Sequence, residues 1–125
     1  MSEVSIFSVD TLIKYMGDDD KARAMVGKIV ADACAPAMEP LLLAGTAIRE
    51  GRLSDAAKML HTLRGAIGTL GAKRLVSASL ELEQALLGQH TEQIPSLFAS
   101  VDAEYRLVLH AAENWLRQHA PDQMR

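Results

Sequence analysis

Apolar positions recur three and four residues apart along most of the chain, a spacing that predicts helices rather than strands. A short first helix is expected over about Val9 to Met16, closed by Gly17. The run Asp18-Asp19-Asp20 then opens a second helix, because carboxylates favour the unsatisfied amides and positive dipole of a helix start. Ala22, Met25, Val26, Ile29, Val30, Ala33 and Ala37, continued by Leu41, Leu42 and Ile48, supply its inward face to about Glu50. Pro36 and Pro40 interrupt it, since each lacks an amide donor and crowds the preceding turn. The pattern leaves open whether they bend that helix or split it in two. A third helix starts near Leu53 or Ser54, with Ser54 as its capping residue, and ends at Gly71, a glycine suited to a left-handed cap. Leu75, Ala78, Leu82 and Leu86 form the seam of a fourth, up to Gly88, with Lys73, Arg74, Glu81 and Glu83 able to face water, the two glutamates solvated or in surface ion pairs. Thr91 and Pro95 mark the start of a fifth. Ile94, Leu97 or Phe98, Val101, Tyr105, Val108, Ala112 and Trp115 carry it to about Gln118.

Four long amphipathic helices with short connections pack most simply as an antiparallel up-down four-helix bundle, with the short N-terminal helix as a lid at one end. The fold class is therefore all-α. At 125 residues the chain is expected to be one domain with its core over about 7–118 and a frayed tail over 119–125. Composition agrees: 49% of residues are apolar but only 4% aromatic, and Leu, Ala and Met outweigh the β-branched and aromatic residues that strands favour. A net charge of −3 without a basic patch argues against nucleic acid as a partner. No leader-like segment and no window of membrane-spanning length is read, so a soluble, cytoplasmic protein without a membrane partner is expected. One cysteine, Cys34, forms no internal disulfide and reads as a small core residue in a reducing compartment.

Candidate chemistry centres on His61. Leu53, Ala56, Leu60, Leu63, Ile67 and Leu70 form the buried stripe of the third helix, and His61 is off that stripe. Its neighbours at i−4, i+4 and i+7 are Ala57, Gly65 and Gly68, so the imidazole is expected in a clearing of small side chains. Two helical glycines each cost roughly 1 kcal/mol relative to alanine, which suggests that a partner approaches that backbone closely. Arg64 lies one turn on, at i+3, and Lys58, at i−3, is a weaker second cation beside the ring. No Gly-rich phosphate loop is present, so no nucleotide site is read in this chain. Asp18 to Asp20 lack the spacing of a calcium loop, and His90, His110 and His119 lack zinc or di-iron spacing, so no metal site is expected.

The run His61-Thr62-Leu63-Arg64-Gly65, with Gly71 ten residues beyond the histidine, resembles the histidine-containing phosphotransfer (HPt) domains of two-component phosphorelays. That family's pattern is a histidine, an apolar residue at +2, Lys or Arg at +3, Gly at +4 and Gly at +10. The resemblance spans roughly Phe7 to Gln118, including Leu80-Glu81-Leu82-Glu83 in the following helix. Ala66 and Ile67 replace the serines frequent at +5 and +6, and Arg52 replaces the aspartate that often opens the histidine helix. The resemblance implies a phosphorelay intermediate. His61 would accept a phosphoryl group through Nε2 from a receiver-domain phosphoaspartate and pass it to another response-regulator receiver, with Arg64 stabilising it. Ala57, Lys58, Gly65 and Gly68 would form the docking surface. Partners would be receiver domains and hybrid sensor kinases. Magnesium would belong to the receiver, so this chain would carry no cofactor of its own, act as a monomer and have no kinase activity. The alternative is a helical adaptor or dimerisation module that keeps the bundle without transferring phosphate. A di-metal carboxylate bundle fails for want of inward-facing Glu-x-x-His motifs.

Overall fold

The computed structural model describes residues 5–120, all of whose regular structure is helical. The elements are α1 (Asp10–Tyr15), α2 (Asp20–Cys34), α3 (Glu39–Arg49), α4 (Leu53–Ile67), a 3-10 turn (Gly68–Leu70), α5 (Lys73–Leu87) and α6 (Ile94–His119). Residues 121–125, most of the expected frayed tail, lie outside the described residues, as do residues 1–4.

The expected second helix is two helices. Cys34 ends α2, the chain turns through Ala35–Met38 with Ala37 at a φ of 50°, and Pro40 occupies the first turn of α3, where its missing amide costs no hydrogen bond. Tyr105 of α6 fixes this break: its side chain is 0% exposed and its hydroxyl donates to the Ala37 carbonyl at 2.6 Å. Burial pushes the Tyr105 phenol above its ordinary value, with a smaller contribution from Cys34, and burial likewise raises the half-buried Cys34 thiol. Splitting resets the buried face. Leu41, Ala44 and Ala47 line the core from α3, while Ala37, Leu42 and Met25, all expected inward, are exposed.

The four long arms close into a ring. α2 packs on α6, α6 on α5, α5 on α4 and α4 on α3, so the broken first arm uses its two halves against different neighbours. The up-down order follows from what meets at one end. The Ser8 amide donates to the Leu70 carbonyl, the Arg74 amide donates to the Ser5 carbonyl, and Phe7 lies 6.4 Å from Trp115 between ring centroids. The end of α4, the start of α5 and the last turns of α6 therefore share one end, capped by the N-terminal segment and α1. Val9 and Ile13 anchor that lid in the core. Gly71 is required there: its φ is +68°, and a Cβ would lie 2.3 Å from the Ser8 carbonyl oxygen.

Two capping expectations resolve differently. Asp19, the middle of the three aspartates, accepts from the Ala22 amide at 2.8 Å, and Asp18 and Asp20 pair with Arg23. Ser54 does not cap α4. The cap position is Arg52, which makes no side-chain cap bond but bridges Glu50 and Asp55, so Ser54 lies within the first turn.

By length and apolar composition, the run Asp20–Arg49 reaches the bounds of a membrane span, contrary to the sequence expectation. The turn at Ala35–Met38 divides it into helices of 15 and 11 residues, each short of the roughly 20 that cross a bilayer core.

Candidate functional site

The histidine helix is held by its apolar stripe. Ala56, Leu60, Leu63 and Ile67 of α4 and Leu70 of the following turn are all buried, with Leu53 half-buried at the start. Each such leucine contributes roughly 1.5–3 kcal/mol, enough to hold α4 rigid despite its glycines. This stripe fixes the rotation of α4 and turns His61 outward, where it is exposed.

His61 stands in an open groove of about 690 Å³ between α4 and α5, lined by Arg64, Gly65 and Gly68 on one wall and Lys73, Val76, Ser77 and Leu80 on the other. Gly65 and Gly68 are not forced by internal packing, since a Cβ at either would meet nothing within 4 Å. What their bareness leaves clear is the space outside the helix, beside the imidazole.

Arg64 is engaged on both sides. Its Nη1 lies 2.7 Å from Glu83 Oε1, and its Nη2 lies 3.1 Å from His61 Nδ1. The Arg64 and Glu83 side chains are only 16% and 17% exposed. Their charges face each other at ion-pair distance but off the line of a hydrogen bond, and neither Nη1 nor Glu83 Oε1 has a hydrogen-bond partner among the described residues. Glu83 was expected to be solvated or in a surface ion pair; it is ion-paired, but on a mostly buried side chain that reaches across from α5 to hold Arg64. Arg64 is accordingly tethered beside the ring.

The predicted docking residues divide. Gly65 and Gly68 line the groove with His61. Ala57 is 4% exposed and belongs to the core, because the stripe is wide enough at this level to include the residue beside Ala56. Lys58 lines a different groove, between α4 and the α2–α3 break, and so stands on the opposite flank of α4 from Arg64. The α5 wall was missed, although its signal was present: Lys73, Val76, Leu80 and Glu83 are three and four residues apart, a second stripe beside the leucine seam. Among the described residues, no group of three or more His, Cys, Asp or Glu is placed to hold a metal ion. His90 and His110 are exposed, and His119 stacks on Trp115 at 5.1 Å between centroids.

An exposed helical imidazole next to an arginine, in a cleared groove of an antiparallel bundle, is the arrangement the sequence resemblance implied. A family model, Hpt domain, matches residues 28–118. The chain belongs to the Hpt domain family. Hpt domains have a histidine phosphotransfer role in phosphorelays and work there with receiver domains and sensor kinases. No curated protein and no solved structure shows significant similarity to the chain. The matched segment begins inside α2 and includes the whole of α4 and α5, hence both walls of the His61 groove.

Proposed function

We propose that this Hpt domain is a phosphorelay intermediate whose phosphoacceptor is His61, charged by a receiver-domain phosphoaspartate and discharged to the receiver of another response regulator. The observation that carries the reading is the exposed imidazole in the α4–α5 groove, with open space at Gly65 and Gly68 and a guanidinium within reach. Phosphoryl transfer between oxygen and nitrogen proceeds in line through a loose transition state, so the chain's task is positioning and charge stabilisation. The Oδ–P bond of the donor breaks as an Nε2–P bond forms at His61. Imidazole is substantially neutral at pH 7 and offers one lone pair. Arg64 meets the phosphoryl oxygens with charge-assisted hydrogen bonds, and the bare backbone at Gly65 and Gly68 admits the rim of the receiver. Magnesium and its ligands belong to the receiver. The domain acts as a soluble, cytoplasmic monomer, a carrier rather than an enzyme turning over a small substrate, because the group it takes is the group it gives.

The test mixes the protein with a phosphorylated receiver and follows the label. Acid-labile, alkali-stable phosphate should appear on the wild-type chain and be absent from His61→Gln, whose exposed position leaves the melting temperature unchanged. Label retained on His61→Gln, or none on the wild type with any receiver of its own signalling systems, would leave the non-transferring adaptor as the better reading.

A further inference from the structure

The contact between Arg64 and His61 fixes more than a distance. A guanidinium carries donors and no acceptor, so in the 3.1 Å contact Arg64 Nη2 donates and His61 Nδ1 accepts. A neutral imidazole has one protonated nitrogen and one lone pair. With the lone pair of Nδ1 turned to Arg64, the proton is on Nε2. That is the wrong tautomer for attack through Nε2, the nitrogen that projects away from the backbone and can meet a receiver. Nor does Nδ1 serve instead, because the guanidinium covers it.

What keeps Arg64 there is Glu83. Its Oε1 lies 2.7 Å from Arg64 Nη1, on side chains 17% and 16% exposed, and among the described residues no other is ion-paired with either. The carboxylate comes from α5 and the imidazole from α4, so the guanidinium bridges the two walls of the groove and its second nitrogen is directed at the ring. The pair is also incompletely satisfied. Among the described residues both charged atoms lack an aligned hydrogen bond, and a buried ion pair with unmet donors is costly to maintain, which makes an alternative partner for Arg64 favourable. A phosphoryl group arriving at Nε2 is such a partner.

Resting on the phosphoacceptor reading, we infer that Glu83 is a positioning residue that parks Arg64 on His61 Nδ1, holding the imidazole in its non-nucleophilic tautomer until a phosphoryl group draws the guanidinium away. On release Nδ1 takes a proton from water, Nε2 gives its proton to water, and the Nε2 lone pair is free. The Nε2–P bond then forms as the donor's Oδ–P bond breaks, leaving the aspartate as its carboxylate. Arg64 thus has two successive stations. The first restrains the ring and the second neutralises the transferred group. An exposed nucleophile is in this way quiet without a partner and unlocked by the group it is meant to receive.

The tautomer is directly readable. In long-range ¹H–¹⁵N spectra of the wild-type protein with ¹⁵N-labelled histidine, at a pH where the ring is neutral, His61 should show Nε2 as the protonated nitrogen and Nδ1 as the unprotonated one. Glu83→Gln keeps the size of the side chain and removes the charge that anchors Arg64. It should raise the Nδ1–H fraction and speed transfer from a phosphorylated receiver about 3- to 10-fold, the Boltzmann factor of one hydrogen bond of ordinary net strength. A wild-type spectrum with Nδ1–H predominant overturns the inference. So does a Glu83→Gln protein whose tautomer ratio is unchanged, or one that transfers more slowly than wild type. The spectrum needs no partner, and label lost only in His61→Gln establishes the relay whichever tautomer is found, so the two readings fail separately.

Discussion

Two grooves flank α4, and they differ in kind. The one toward the α2–α3 break, about 400 Å³, is walled by Pro36, Pro40, Leu43, Met59, Ala66 and Tyr105. The one toward α5, about 690 Å³, holds His61, Arg64 and two bare glycines, with Lys73 and Ser77 opposite. Both are lined by the same helix, so a rotation of α4 by one position, about 100°, would carry His61 out of the groove toward α5. The leucine stripe prevents that, because such a slip would expose Leu60 and Leu63 at roughly 1.5–3 kcal/mol each. Groove shape therefore says little about which flank is functional. What separates them is a nucleophile with a tethered cation on one side and an aliphatic lining closed by a buried tyrosine on the other.

The largest effect that sharpens this contrast, after the complete loss expected of His61→Gln, is steric. Gly65→Leu places a branched side chain beside the ring on a Cβ that would meet nothing within 4 Å. Helix propensity then predicts a protein about 0.5–1 kcal/mol more stable, measurable by urea denaturation. The same change should slow receiver-to-His61 transfer by about 100-fold, the order of loss produced by small misplacements of reacting groups. A stabilised variant with unimpaired transfer would mean that the receiver does not approach over Gly65.

Arg64→Ala comes next. It leaves the mostly buried Glu83 carboxylate without its cation, which should lower stability by about 1–3 kcal/mol. Transfer should fall by about 10- to 100-fold, more than receiver affinity falls, if the guanidinium acts on charge that develops in the transition state. Equal losses in both would reduce Arg64 to a docking contact. The sign is opposite to that of Glu83→Gln, which frees the cation instead of deleting it.

How far the sequence carried this picture depends on the length of the interactions involved. Helix periodicity is local, so most core residues of α4, α5 and α6 and the outward placement of His61 were legible from spacing alone, while the buried Ser79, Ala85 and Leu116 were not. The break in the first long arm was signalled by Pro36 and Pro40 but not decided by them. The deciding contact is Tyr105 to Ala37, 68 residues apart, and no local pattern contains it. The partner and burial of Glu83 escaped for the same reason. On its own helix it sits near the exposed Glu81 and reads as solvated or in a surface ion pair; only the α4–α5 packing turns it onto Arg64. Ala57 failed by angle, because a stripe of small residues is wider than its leucines suggest. Gly71 was legible as a helix end, whereas its second role, admitting the Ser8 carbonyl, required the N-terminal segment to be in place.

On the opposite flank, Tyr105→Phe tests whether the aliphatic groove is structural. Loss of the hydrogen bond to Ala37 should cost about 0.5–1.5 kcal/mol, with transfer changed less than about 2-fold. The pH dependence has a definite sign. Because burial raises the folded-state phenol above its ordinary value of 10.0, the folded protein binds this proton more tightly than the unfolded chain. The associated stability is complete below about pH 10 and is lost as pH rises through the higher folded value. Urea midpoints should therefore fall more steeply above about pH 10 in the wild type than in Tyr105→Phe. Parallel curves would show that the phenol is not the group responsible.

The smallest expected effect is that of Lys58→Ala, and it distinguishes a reaction site from its surroundings. Spacing put Lys58 three residues before His61, as Arg64 is three after, so a helical wheel gives both cations similar claims on the phosphoryl group. The fold breaks that symmetry. Lys58 lines the groove with Pro36, Pro40 and Met59, while Arg64 lies on the flank that faces α5 and is held there by Glu83. An exposed ammonium on the far flank contributes only a screened field to an incoming anionic receiver surface, an effect on encounter rate rather than on chemistry. Lys58→Ala should slow transfer by no more than about 2- to 3-fold at low ionic strength, and the difference should vanish in about 0.5 M salt, where the Debye length falls to a few ångströms. A loss that persists in high salt, or one as large as that of Arg64→Ala, would place the ammonium on the phosphoryl group itself. The receiver would then have to cover both flanks of α4, and the division between the two grooves would not survive docking.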